Sequence, residues 1–208
     1  ERVLEKSDEM YRQRLNTDSA FLLMTYTVSS HTPFDIPKSF KGKYNEKYFN
    51  SIAYSDSCLG VFIDELKKMP LWDSTLVVIT SDHTSAMQLF GIDNNQSEAY
   101  RIPIIFTGGA IQQAEIRHNI VSQTDLMATI AQMLDWKIEH SDFSRSMFRT
   151  NGFATYYRDE FWGYISKDAS YYFDLQNNNL HPVYSTDSIS LDNAVNTGKA
   201  YTQKIFCV

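Results

Sequence analysis

Two cysteines in 208 residues, Cys58 and Cys207, are too few and too far apart to form a disulfide framework, and neither has a metal-type spacing. Cys58 is expected as a free, buried thiol. Cationic charge is also short. Nineteen Lys and Arg against 25 Asp and Glu leave a net charge of −6, which argues against a nucleic-acid binder with its basic footprint. A small anionic substrate stays open, because one bound cation reverses the sign inside a pocket. The longest mostly apolar stretch, residues 20–28, is far below the ~20 residues that cross a bilayer, and no secretory signal is visible. There is no Gly-rich phosphate loop, no GxSxG elbow, no CxxC, no internal repeat and no low-complexity tract.

What is present is core-forming. Hydrophobic residues make up 43% and aromatics 14%, which is enough for one packed domain, perhaps with a small annex. The chain opens at Glu1 in what reads as the middle of a helix. It is therefore expected to belong to something longer, whose N-terminal portion could carry a signal or a membrane anchor.

Residues 1–16 favour helix. AFLLMTYTVSS (20–30) reads as a buried strand, followed by a loop, SSHTPFDIP, that two prolines stop. Residues 45–69 carry Tyr48, Ile52, Leu59, Ile63 and Leu66 near helical spacing, with Asn45 as a cap and Pro70 as the stop. TLVVIT (75–80) and IPIIFTG (102–108) are two more buried strands. Ser122-x-x-Asp125 is a capping pattern before an apolar helix. Such alternation predicts an α/β fold with a mostly parallel sheet sandwiched by helices. Residues 1–150 would form that part. From about residue 150 the pattern becomes aromatic and alternating, punctuated by turns, so residues 151–208 are expected to form a small antiparallel sheet with a terminal helix over 187–205.

In open α/β sheets functional residues gather beyond the carboxyl ends of strands. Asp82 and His83 leave the 75–80 strand together. One offers hard oxygen and the other borderline nitrogen, a suitable pair for a divalent metal. The competing reading is an Asp that caps a turn beside an incidental histidine. His31 follows the first strand and is suited to bind an oxyanion, protonate a leaving group or ligate metal; otherwise it is a loop histidine bonded to backbone. His118, His140 and His181 read as solvated, and Asp56 and Asp125 as capping or packing groups. Arg101 reads as a surface salt bridge.

These residues stand in a recognisable order. SSHTPFDIP (29–37), YFNSIAYSDSCLGVFIDELKKMPLWDSTLVVITSDHT (48–84), RIPIIFTGG (101–109) and SQTDLMATIAQML (122–134) resemble the sulfatase-like branch of the alkaline phosphatase superfamily, especially lipoteichoic acid synthase and related phosphoglycerol transferases. The resemblance covers residues ~20–135. It implies an alkaline phosphatase-like sandwich, here incomplete. It implies Asp82 and His83 as metal ligands and His31 as the histidine that contacts the phosphoryl or sulfuryl group. The cofactor would be one divalent ion, Mn2+ first, with Zn2+, Mg2+ or Ca2+ as alternatives. The reaction would be phosphoglycerol transfer or hydrolysis of phosphate or sulfate esters, through a nucleophile that no stretch of this chain matches. The substrate would be a small anionic ester or a lipid or glycan, the site extracytoplasmic and the full-length protein membrane-anchored.

Departures from the family pattern are visible. Ser81 stands where Gly usually precedes Asp-His, and Thr84 replaces a frequent Gly or Tyr. Thr27, four residues before His31, breaks the Asp-x-x-x-His spacing of two-metal members, which favours one metal. The alternative function is a sulfatase-fold module without catalysis that binds glycan, a lipid head group or a protein partner.

Overall fold

A computed structural model of the chain describes residues 2–17, 19–85, 91–137 and 143–206. His140 and Cys207 lie outside them. The chain forms two compact units: Glu1–Ile79 with Ile105–Ala114, and Thr80–Ile104 with Glu115–Val208.

In the first unit, helix α1 (Arg2–Arg14) packs on helix α2 (Lys47–Leu66). Their seam is a cluster of Tyr11, Leu66 and Met69, joined by Leu15, Phe62, Ile63, Leu71, Trp72 and Val77. The Tyr11 hydroxyl stays hydrogen-bonded, 2.8 Å from Thr75 Oγ1, as a buried phenol should. The face of α2 that is buried consists of Ser51, Tyr54 and Leu66. Ile52, expected inside, is exposed. Cys58 is a free thiol as expected, but half-buried rather than buried.

The expected strand over 20–30 is not formed. Residues 20–28 have no assigned strand. One side of this segment meets α1, where Ser7 Oγ lies 2.6 Å from Thr25 Oγ1 and Phe21 sets edge-on to Tyr11. The other side carries Leu22, Met24, Tyr26 and Val28, each at least 65% exposed. The two-residue period is that of a strand; among the described residues no neighbour pairs with it. The mostly parallel sheet is likewise not what the described residues display. They contain a two-stranded sheet of β1 (Val77–Thr80) and β2 (Ile104–Thr107), plus a separate antiparallel sheet.

That second sheet is the aromatic meander expected after residue 150. Strands β3 (Phe153–Arg158), β4 (Phe161–Ser166), β5 (Ala169–Asp174) and β6 (Asn179–Ser185) pair antiparallel in chain order. Helix α4 (Ser188–Phe206) follows. Alternation sorts the side chains. Phe153, Trp162, Tyr164 and Tyr171 face α4 and pack with Leu191, Ala194, Val195 and Tyr201. Trp162 stacks on Phe173 and Tyr164 on Tyr171. Burying each such ring is worth ~1.5–3 kcal/mol. Gly198 lets α4 come close: a Cβ there would collide with the Tyr171 hydroxyl, which donates to Ala194 O at 3.3 Å.

Before the meander, helix α3 (Leu126–Met133) starts from a turn over Gln123–Asp125 that carries the expected capping box. Asp125 is fully buried. Its Oδ2 accepts from Ser122 N at 3.0 Å and from Arg149 Nη2 at 3.1 Å, and its Oδ1 accepts from Arg145 N at 3.0 Å. Asp125 is thus a structural anchor for the 145–149 loop.

Candidate metal centre

β1 delivers Asp82 and His83 into a short loop that is tied down within the second unit. Thr80 Oγ1 donates to Pro103 O at 3.0 Å, Thr84 Oγ1 to Ala99 O at 2.7 Å, and Gln123 Nε2 to Ser81 O at 2.8 Å. The backbone is held while the two candidate side chains stay open to solvent, 67% and 76% exposed for Asp82 and His83.

The Asp82 carboxylate caps its own turn with one oxygen and points the other towards His83. Its Oδ1 accepts from His83 N at 2.9 Å, the turn-capping role. Its Oδ2 lies 3.6 Å from His83 Nε2. His83 Nδ1 lies 2.7 Å from Thr84 O. A carbonyl only accepts, so Nδ1 carries the proton and the neutral ring keeps its lone pair on Nε2. Fixing the tautomer through the far ring nitrogen is how metal-bound histidines are oriented. When the ring is neutral, a carboxylate oxygen and an imidazole lone pair lie on one small space, and their chemistry fits a divalent cation. Their number does not complete its shell: no group of three or more His, Cys, Asp and Glu gathers among the described residues, and such ions typically take about four or more donors.

His31 uses the same device in the first unit. Its Nδ1 lies 2.9 Å from Thr32 O, again leaving Nε2 as the free acceptor. The loop turns tightly, with His31 N bonded to Val28 O at 3.0 Å and Phe34 N to His31 O at 2.8 Å. Phe34 takes φ +63°, a conformation that costs a bulky residue about 1–3 kcal/mol. Its ring lies edge-on to Tyr48 of α2 with centroids 5.3 Å apart, and this contact holds the turn. The competing idea of a backbone-bonded loop histidine is thus correct for Nδ1 and leaves Nε2 available.

Of the remaining histidines, His118 is exposed as expected, whereas His181 is half-buried and stacked on Tyr172 at 4.7 Å. Asp56 and Arg101 are exposed. Sequence reasoning missed Gln123 and Ala99, whose roles come from one amide nitrogen and one carbonyl oxygen. Gln123 sits inside the capping pattern and no local signal marks it. The aromatic cluster behind Ala99 had a signal, the lone Gly163 in Phe161-Trp162-Gly163-Tyr164.

Comparison with known proteins adds three findings. The family model described as Sulfatase matches residues 1–136. Lipoteichoic acid synthase 2 of Bacillus subtilis is 25% identical over 134 residues, covering 52% of this chain and 20% of that protein; human iduronate 2-sulfatase is 34% identical over 74 residues, covering 34% and 14%. The chain therefore spans a fifth or less of either relative. A crystal structure of a protein in the alkaline phosphatase superfamily from Vibrio parahaemolyticus superposes with a TM-score of 0.75 at 22% identity, over 97% of this chain and 54% of that one. At that identity the likeness speaks to the fold, and it includes the C-terminal meander.

Proposed function

The chain belongs to the sulfatase family, and from that premise we propose that it is the C-terminal part of the catalytic domain of a metal-dependent phosphoglycerol transferase or sulfatase-like ester hydrolase. The observation that carries this reading is the convergence of Asp82 Oδ2 and His83 Nε2, 3.6 Å apart, with the histidine tautomer set by Thr84 O. Asp82 and His83 would hold one divalent ion, Mn2+ before Zn2+, Mg2+ or Ca2+. When bound, such an ion polarises the ester and stabilises the attacking oxygen. His31 would act through Nε2 when protonated, donating to an oxygen of the transferred phosphoryl or sulfuryl group or giving its proton to the leaving oxygen.

The nucleophile and the other metal ligands would come from additional polypeptide. Two facts support this: the chain spans 54% of its structural neighbour, and the row Leu22, Met24, Tyr26, Val28 lies open. Exposed apolar rows with strand period mark a face from which a packed layer is missing. Among the described residues no helix is long and apolar enough to cross a membrane. An anchor would lie in that additional part, and the site would work outside the cytoplasmic membrane on a small anionic, lipid or glycan ester.

The meander does not favour the binding-module alternative. Trp162, Tyr164 and Tyr171 are buried under α4, and Tyr156 is buried on the other face. The test is an assay of the full-length protein with Mn2+ on an aryl sulfate, an aryl phosphate and a phosphatidylglycerol analogue. Turnover of at least one, lost in Asp82→Ala, is expected. Equal inactivity of both proteins on all three would sink the proposal.

A further inference from the structure

We infer that the second face of the C-terminal sheet is a positioning device for the Asp82–His83 pair, with Tyr156 as its central residue. The inference rests on the proposed reading of that pair as metal ligands.

The connection can be followed contact by contact inside the second unit. Gly163 on β4 lies opposite Tyr156 on β3. A Cβ at Gly163 would collide with the Tyr156 ring, so the glycine leaves the space in which that ring lies across the sheet. Glycine is a poor strand residue; close approach of another group is the usual reason to find one there. Tyr156, only 5% exposed, then stacks on Tyr100 with centroids 4.6 Å apart, and its hydroxyl donates to Asn95 O at 3.1 Å. The Tyr100 hydroxyl donates to Asn94 O at 2.8 Å and accepts from Arg158 Nε at 3.3 Å.

These bonds fix the turn over Ser97–Tyr100. Within that turn, Ala99 O accepts from Thr84 Oγ1. The carbonyl of the same Thr84 accepts from His83 Nδ1. The sheet therefore reaches the ring of His83 through two tyrosines and one threonine. Phe161 and Tyr172 extend the aromatic layer edge-on, Phe161 against Tyr156 and Tyr172 against Phe161. Through this layer the terminal meander holds the loop that presents the ligands.

Gly198 supplies an internal control, since it admits Tyr171 on the opposite face of the same sheet. In the full-length protein, Gly163→Ala, Tyr156→Leu and Gly198→Ala are compared by thermal unfolding, amide hydrogen exchange and Mn2+ affinity. Gly163→Ala and Tyr156→Leu should speed exchange at residues 95–100 and weaken Mn2+ binding about 5- to 10-fold, below or at the low end of the range for losing an outer-shell partner outright, since Thr84 is loosened and not removed. Gly198→Ala should lower the melting temperature while leaving both readouts within about twofold of wild type, since it touches no outer-shell partner of the pair. The inference is overturned if the first two variants leave exchange at 95–100 unchanged. It is also overturned if all three weaken Mn2+ in step with their melting temperatures. Should wild type bind no Mn2+, the ligand reading and this inference's functional half fail together, while exchange at 95–100 still decides whether the tie exists.

Discussion

Arg149 Nη2 stands 3.1 Å from Asp125 Oδ2, a carboxylate with no solvent exposure. Asp125 also accepts from the backbone N–H of Ser122 and of Arg145. Asp125→Ala therefore strips a half-buried cation of its buried partner and orphans two backbone donors at once. A loss of about 3–5 kcal/mol is expected, read from urea unfolding. A loss under about 1 kcal/mol, the size of a single ordinary hydrogen bond, would show that the 145–149 strap contributes little.

Alkaline pH should unfold the second unit through its tyrosines. Burial pushes the Tyr156, Tyr164 and Tyr171 hydroxyls above their ordinary value of 10.0, with Tyr100 adding to the effect at Tyr156. A group whose folded pKa is raised contributes stability that is fully present below its unfolded pKa and is lost as pH climbs towards the folded one. Stability should thus be insensitive to these groups below pH ~9 and fall above ~10. Absorbance at 295 nm should show one set of tyrosines ionising freely and another ionising only as the fold is lost. A single phase near pH 10 for all 13 tyrosines would contradict this.

The open row of residues 22–28 predicts a difference between contexts. Leu22→Lys in the 208-residue chain should change stability by less than about 0.5 kcal/mol, as at an ordinary surface site. In the full-length protein, where a packed layer on that face would cover it, the same change should cost at least ~2 kcal/mol. Equal small effects in both would mean that nothing covers this row.

His31→Ala should lower turnover of the full-length protein about 10²- to 10⁴-fold, the range for a group that transfers or stabilises a proton. Mn2+ affinity should hardly move, because His31 is assigned to substrate rather than metal. A large loss of metal binding would instead make His31 a ligand.

How much of this was legible in the sequence depended on whether the signal was local. The 47–66 helix, the 77–80 and 104–107 strands, the Ser122–Asp125 capping box and the four-strand meander with its helix all follow from period, caps and turns. AFLLMTYTV carried the same strand signal and did not pair, because a strand is completed by another segment and not by its own pattern. Asp82 and His83 could be nominated from the end of a β-branched run. The bond from Thr84 O that sets the His83 tautomer could not, since any residue supplies a carbonyl. The link between residue 156 and residue 100 is long-range stacking, and only the glycine at 163 hinted at it.

The most direct test of the account is a Mn2+ titration followed by the electron paramagnetic resonance of the free ion. Full-length wild type, Asp82→Ala, His83→Ala and the isolated 208-residue chain would be compared. The account predicts that each substitution weakens binding by about a hundredfold or more, beyond what loss of an outer-shell partner does. It also predicts that the isolated chain, with two donors, binds only weakly. Wild-type affinity in both variants, or sub-micromolar binding by the isolated chain, would contradict the assignment of Asp82 and His83 as half of a metal site.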